Sequence, residues 1–205
     1  MSYDIKLIQE DKFTPTFWSG GMATELTTYP ETSSFAKRDF LWRLGFAKID
    51  IQESTFSKLP GVSRTLMLTN GKMTLNHEGK YSKCLGPFEQ DSFNGEWNTT
   101  TVGKSSVFNL MTRENYSGEL IHLTINPNGT KTFNYCTSYE KEIVSICLYP
   151  ISSTLNTKIG HKTFTVKTNE LLVLNPIDFA SNHKFNFTNT SKEVLNLIIS
   201  VIYKI

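Results

Sequence analysis

WSGGMATELTTYP (18–30), LWRLGFAKID (41–50) and STFSKLPGVSRTLML (54–68) decide how this chain folds. Each piece joins a turn device to a run of β-branched and aromatic residues, the signature of strands punctuated by tight turns. Ser19-Gly20-Gly21 needs close backbone approach or positive φ, which glycine supplies without steric cost. Pro60-Gly61 is a second turn, ending at Arg64. Within what reads as one sheet lie two arginines (Arg43, Arg64), a glutamate (Glu25) and two tryptophans (Trp18, Trp42), more polar and aromatic chemistry than packing requires. Such a set points to a pocket that orients a small polar ligand.

Outward from that stretch, nearly everything alternates. IKLI, RTLMLTNG, KMTLNHEGKY, SSVFNLMTR (105–113), LIHLTINPNG, KTFNYCTSY (131–139), EIVSICLYP, KTFTVKTN and ELLVLNP all read as strands. The C-terminal VLNLIISVIYKI reads as a buried strand, being too short and too polar to span a membrane. The one helical hint, SSFAKRDF (33–40), amounts to a single turn. Asn70-Gly71 and Asn128-Gly129 read as hairpin turns, since that dipeptide supplies positive φ at both central positions. A strand, a glycine turn, a short strand and a proline-punctuated strand occur at 64–88 and again at 143–176. The expectation is an all-β chain of two similar halves with strands exchanged between them and a boundary within 101–140.

Composition excludes several classes. With 205 residues, 39% apolar and 20% charged, the chain is globular rather than disordered. A net charge of +2, with Lys37-Arg38 as the only notable basic pair, leaves no nucleic-acid footprint. The N-terminal MSYDIKLIQEDK lacks the apolar core of an export signal, so sequons such as Asn98-Thr99-Thr100 carry no glycosylation meaning. Cys84, Cys136 and Cys147 have no metal or redox spacing. They read as reduced thiols, and the compartment as cytoplasm, without a membrane partner.

WSGG-ATEL-YP, F-WR--A-I, FS--PG--R-L-L--G and FNLM-R occur in that order, and the set resembles the HutD/Ves family of cupin-like proteins, associated with histidine utilisation in some bacteria and stress response in others. The resemblance covers most of the first 120 residues. It implies a double-stranded β-helix of the RmlC-like cupin type, with two cupin halves in one chain. It also implies a small-molecule-binding or regulatory role linked to histidine-pathway intermediates. The family positions fall on Trp18, Gly20, Gly21, Thr24, Glu25, Trp42, Arg43, Phe56, Ser57, Pro60, Gly61, Arg64, Phe108, Asn109, Met111 and Arg113. Leu59 replaces an expected aromatic. Ser63 stands where an acidic partner for Arg64 is expected, and Glu114 weakens the positive field near Arg113.

The residues narrow the chemistry. Metal-binding cupins need facial imidazole and carboxylate ligands. Here His77, His122, His161 and His183 are scattered with no His-x-His, and His77-Glu78, after a strand, reads as exposed. No metal or other cofactor is expected. There is no Gly-x-Ser-x-Gly elbow and no cysteine beside a histidine, so no catalytic residue is assigned. Ser19-Gly20-Gly21 suits either an anion-binding nest or a bulge at a barrel edge. Arg43 and Arg64 suit a bidentate grip on a carboxylate. Arg43 equally suits a structural pair with Glu25 or Asp50. Period-two alternation sets Trp42 and Arg43 on opposite faces of their strand, and places Asn109, Met111 and Arg113 together on one face. The expected site is therefore Trp18, Glu25, Trp42, Arg43, Ser57, Arg64, Asn109, Met111 and Arg113, holding a small anionic metabolite. Two other readings stay open: a metal-free isomerase or epimerase acting on a small acid, which would need a base such as Glu25, and a protein-interaction module marked by an exposed apolar patch. Pairing of two copies through barrel edges to form a homodimer is open to a cupin, and no residue here fixes it.

Overall fold

The computed structural model describes residues 2–136, 141–177 and 182–205, so the end of the expected strand 131–139 lies outside the described residues. β1 (Tyr3–Ile8) opens the chain. The first compact unit, 13–117, holds β2 (Thr14–Trp18), β3 (Gly21–Tyr29), β4 (Trp42–Ile49), β5 (Glu53–Thr55), β6 (Val62–Gly71), β7 (Met73–His77), β8 (Tyr81–Leu85), β9 (Gln90–Asn94), β10 (Thr99–Val102) and β11 (Ser105–Arg113). They form a six-stranded sheet ordered β2-β3-β4-β11-β6-β9 and a four-stranded sheet ordered β5-β10-β7-β8. β12 (Tyr116–Ile125) leads into the second unit, 118–205, which continues with β13 (Thr130–Cys136), β14 (Glu142–Pro150), β15 (Leu155–Ile159), β16 (Lys162–Val166), β17 (Leu171–Pro176), β18 (Asn182–Asn189) and β19 (Leu195–Lys204). Its sheets run β1-β17-β14-β19-β12 and β13-β18-β15-β16, so the N-terminal strand belongs to this unit.

Without β1, β2 and β3 the two units share one plan. β4-β11-β6-β9 with β5-β10-β7-β8 in the first corresponds to β12-β19-β14-β17 with β13-β18-β15-β16 in the second. This is the double-stranded β-helix of the cupins, present twice in one chain. The repeated stretches explain themselves here: 64–88 runs through β6, β7 and β8, and 143–176 begins with their counterparts β14, β15 and β16. Among the described residues there is no α-helix; SSFAKRDF makes one turn, closed by Arg38 N–H donating to the Ser34 carbonyl at 3.0 Å. Among the described residues no helix is long and apolar enough to cross a membrane.

The two Asn-Gly turns are not hairpins. β6 and β7, which flank Lys72, lie in different sheets, and so do β12 and β13 around Asn128-Gly129. Each turn is a corner where the chain passes from one sheet of a barrel to the other. Gly71 shows why the residue is needed: its φ is +89°, and a Cβ there would lie 2.5 Å from the Lys104 carbonyl oxygen. Ser19-Gly20, read above as a bulge or a nest, instead forms the turn between β2 and β3; the bulge falls later, between Glu25 and Thr27.

Alternation sorts the side chains. In the first unit Ile49, Leu66, Leu68, Val107 and Phe93 of the larger sheet pack with Met73, Leu75 and Leu85 of the smaller one. In the second, Ile146, Leu148, Leu172, Leu174, Leu197, Ile199 and Val201 pack with Leu155, Phe185 and Phe187. Each fully buried aliphatic side chain of this kind contributes about 1.5–3 kcal/mol. The C-terminal strand is buried through its centre, as its composition predicts.

Candidate functional site

Strand register turns the inner face of the six-stranded sheet into rows. Thr28, Arg43, Met111, Arg64 and Phe93 face one another in succession across β3, β4, β11, β6 and β9. The next row is Glu25, Gly45, Asn109, Leu66 and Asp91, and the one beyond it Ala23, Ala47, Val107 and Leu68. Ala47, Val107 and Leu68 of the third row, with Leu66, belong to the barrel core, so Arg43, Arg64, Glu25 and Asn109 share the interior face.

Arg64 is 7% exposed and has no hydrogen-bond or ion-pair partner among the described residues. Its guanidinium lies against two rings that stack on each other, 4.6 Å from the Phe56 centroid and 5.3 Å from that of Phe93. Burial drives its pKa down to about 10, and the charge of Arg43 adds to the fall. Cation–π contact returns about 2 kcal/mol when desolvated, less than a buried charge loses in leaving water. Asn109, 6% exposed, has its Oδ1 buried without a partner. On the smaller sheet Ser54 and Thr101, register partners on β5 and β10, likewise hold unpaired buried hydroxyls, and Thr101 also faces Leu75 of the core. Each such orphan costs about 1–3 kcal/mol. Ser105, opposite the core residue Ile49, adds a third such hydroxyl, so among the described residues one barrel interior holds a cation, an amide oxygen and three hydroxyls left unsatisfied.

Arg43 is different. Its Nε donates to Glu25 Oε2 at 2.8 Å, and its guanidinium stands 4.8 Å over the Phe35 ring. Of the two partners open to it, Glu25 is the one used; Asp50 pairs with Lys48 instead, at 2.9 Å. The same Glu25 oxygen accepts the Phe35 backbone N–H at 3.0 Å, tying the 30–41 segment to the barrel. Gly45 makes room: a Cβ there would lie 2.7 Å from Arg43 Nη1.

Other expected members are placed elsewhere. Trp42 is buried on the opposite face of β4, stacked on Tyr29 with centroids 6.0 Å apart, as alternation requires. Trp18 sits on the outer strand β2 with its ring folded over Gly20; its register partner Gly21 stands opposite Ile49, one row beyond Ala23. Ser57 is exposed in the segment between β5 and β6. Met111 lies in the row between Arg43 and Arg64 but packs with Phe40, Leu59 and Val62. Arg113 donates through Nη1 to the Arg38 carbonyl at 2.7 Å and has Glu114 at 3.9 Å, so it anchors the 30–41 segment. The missing acid at Ser63 has no bearing on Arg64, because adjacent strand residues point to opposite faces and Ser63 is exposed.

His77 is a correction. It is buried, not exposed, with Nε2 at 2.9 Å from Asp91 Oδ2 and Nδ1 at 2.8 Å from Thr99 Oγ1. Tyr81, Phe93 and Trp97 surround its ring. Asp91 also accepts from Tyr81 and Lys83. Burial alone would raise its pKa, but the bonds from His77 and Lys83, the Lys83 charge and the Tyr81 hydroxyl outweigh that and hold it below 3.8.

A family model described as HutD matches residues 10–194. The chain belongs to the HutD family. No curated protein sequence matches it. Among solved structures, a conserved protein of unknown function from Pseudomonas aeruginosa PAO1 superposes with a TM-score of 0.79 at 14% identity, covering 98% of this chain and 100% of that one. HutD from Pseudomonas fluorescens SBW25 gives 0.72 at 17% identity, covering 98% and 100%. Oxalate decarboxylase from Bacillus subtilis gives 0.66 at 8% identity, covering 95% and 76%. At these identities the likeness shows the cupin fold.

Among the described residues of this HutD-family chain, no three His, Cys, Asp or Glu side chains converge. Nor do the two barrels offer the same chemistry. Where the first has Arg64 and Asn109 on β6 and β11, the corresponding strands β14 and β19 turn Ile146, Leu148, Ile199 and Val201 inward. Among the described residues the buried cation without a counter-charge lies in the first barrel, while His183 and Thr157, buried polar groups of the second, are bonded to the Tyr3 hydroxyl and the Asn186 carbonyl. Sequence reading missed Gly45, Phe93, Ser54 and Thr101. A glycine inside a strand does signal close approach, so Gly45 was open to discovery. The other three become visible only through pairing.

Proposed function

We propose that the first barrel of this HutD-family protein binds a small carboxylate in a sensing or regulatory role within histidine utilisation. The observation that carries this is Arg64: a guanidinium inside a barrel, against two stacked aromatic rings, with no counter-charge among the described residues. Removing one partner of a buried ion pair is strongly destabilising because it strands a charge, and a ligand carboxylate relieves that condition. Its two oxygens match the fork of the guanidinium, the Phe56 and Phe93 rings exclude water, and Asn109 Oδ1 accepts an N–H from the ligand. The three free thiols, Cys84, Cys136 and Cys147, accord with a cytoplasmic protein.

An isomerase or epimerase reading finds less support. Of the bases open to it, which include the scattered histidines and a tyrosine, Glu25 is engaged by Arg43 and by the Phe35 N–H. The interaction reading has one feature in its favour: β2 is an outer strand carrying Phe17, 78% exposed, beside Trp18.

The test is a thermal-shift screen of the full chain against urocanate, histidine, formiminoglutamate and formylglutamate, with Arg64→Met as control. A ligand at about 100 times its Kd stabilises the fold by about 2.7 kcal/mol. The expected result is a shift for at least one acid in the wild type and none in R64M. R64M itself should be as stable as the ligand-free wild type, or more so by about 1–2 kcal/mol, since it removes a stranded charge while keeping the bulk. A shift that survives in R64M would overturn the assignment, and no shift for any of the four would remove the histidine-pathway reading.

A further inference from the structure

We propose that Glu25 sets the charge of the ligand: the first barrel is built for a monocarboxylate and disfavours dianions. This rests on Arg64 as the carboxylate-binding group. The charged side chains on the inner rows are Arg43, Arg64, Glu25 and Asp91. Asp91 is matched by Lys83 at 3.1 Å. Arg43 is matched by Glu25 at 2.8 Å. Arg113, which shares the Asn109 and Met111 face of β11, is turned to the Arg38 carbonyl with Glu114 nearby. Among the described residues of these rows the charge left without a counter-charge is that of Arg64, and one carboxylate neutralises it.

Geometry makes this a choice rather than an accident of counting. Arg43 and Arg64 flank Met111 on strands two apart, so their Cα atoms are separated by about 10 Å, twice the spacing of neighbouring strands. Two guanidiniums borne on the same inner row, both residues under one-tenth exposed, would suit the two ends of a short dicarboxylate. Glu25 already occupies the second of them. A dianion would bring its outer carboxylate against Glu25 in a water-poor interior, where like charges repel strongly. Gly45 favours the same outcome, since its missing side chain lets the Arg43 guanidinium lie in the row that Glu25 shares.

The experiment is calorimetric titration of the full-length protein with urocanate as the monoanion and glutarate as the dianion, on wild type, Glu25→Gln and R64M. Glutamine keeps the shape and an acceptor oxygen for Arg43 and the Phe35 N–H. In wild type, urocanate should bind at least about tenfold more tightly than glutarate, and E25Q should improve glutarate by about tenfold while changing urocanate by less than about threefold. R64M should lose both. Glutarate binding the wild type as well as urocanate does, or E25Q leaving the ratio unchanged while R64M abolishes binding, would overturn the role of Glu25 and leave Arg64 standing. Binding that persists in R64M, or no binding to wild type by either acid, would instead overturn the carboxylate reading on which this depends. The wild-type ratio decides the matter even if E25Q fails to fold.

Discussion

At Gly45 a single hydrogen holds the arrangement of two charged side chains. Adding a methyl there sets a carbon 2.7 Å from Arg43 Nη1, closer than any real contact, so the guanidinium must move off the strand. Moving it strains the 2.8 Å bond to Glu25, which in turn holds the Phe35 backbone. Gly45→Ala should therefore destabilise the protein by about 1–3 kcal/mol, although alanine suits a strand better than glycine does. Urea denaturation compared with the wild type would show it. An unchanged or raised midpoint would mean that Arg43 is not held where the structure places it. Arg64 lacks any such tie, and the contrast between the two arginines is the basis of the functional reading. Alternation alone separated Trp42 from Arg43. It could not say which arginine would find a partner.

At the level of the element, β9 carries both halves of a link between the candidate site and its support. Phe93 touches the Arg64 guanidinium on one side and the His77 ring on the other, with centroids 4.6 Å apart in the latter contact. Two residues earlier Asp91 gathers His77, Lys83 and Tyr81. Its folded pKa is depressed below 3.8, so the stability it confers is complete above that value and is lost as the pH falls through the lowered one. Acid should thus weaken the wild type below about pH 4 more steeply than Asp91→Asn, which has no carboxyl to titrate. At neutral pH that variant should be less stable by about 2–3 kcal/mol, having given up a charge-assisted network. Equilibrium unfolding measured from pH 3 to pH 7 checks both. Parallel curves for the two proteins would exclude Asp91 as a source of acid sensitivity.

Across the whole molecule, the first strand of the chain serves the second unit. β1 pairs along its full length with β17, from Tyr3 opposite Pro176 to Ile8 opposite Leu171. Tyr3 and Ile5 pack on that unit's core, and the Tyr3 hydroxyl lies 2.8 Å from His183 Nδ1. Deleting residues 2–8 would bare the edge of a strand with four buried aliphatic residues, an invitation to pair with other chains. We expect the truncated protein to lose about 2–4 kcal/mol from the lost burial and hydrogen bonds and to aggregate on warming. Light scattering during a thermal ramp would reveal it. A truncation that melts like the wild type without scattering would show that β17 tolerates an open edge.

What the sequence determined by itself is what short-range rules govern. Alternation with turn punctuation made the chain all-β, the buried C-terminal run made β19, and the period of two set Arg43 opposite Trp42 and Asn109 beside Met111 on one face. The ordered motifs of 18–113 carried the family. Tertiary structure decided who meets whom. It turned two Asn-Gly dipeptides into corners between sheets, buried His77 against Asp91, left Ser57 exposed and Trp18 on the outer strand, gave Arg43 a carboxylate and, among the described residues, left Arg64 without one. The reason is physical: strand periodicity is written in adjacent residues, whereas register joins strands distant in the chain, and the charge left over in a barrel depends on every strand that lines it.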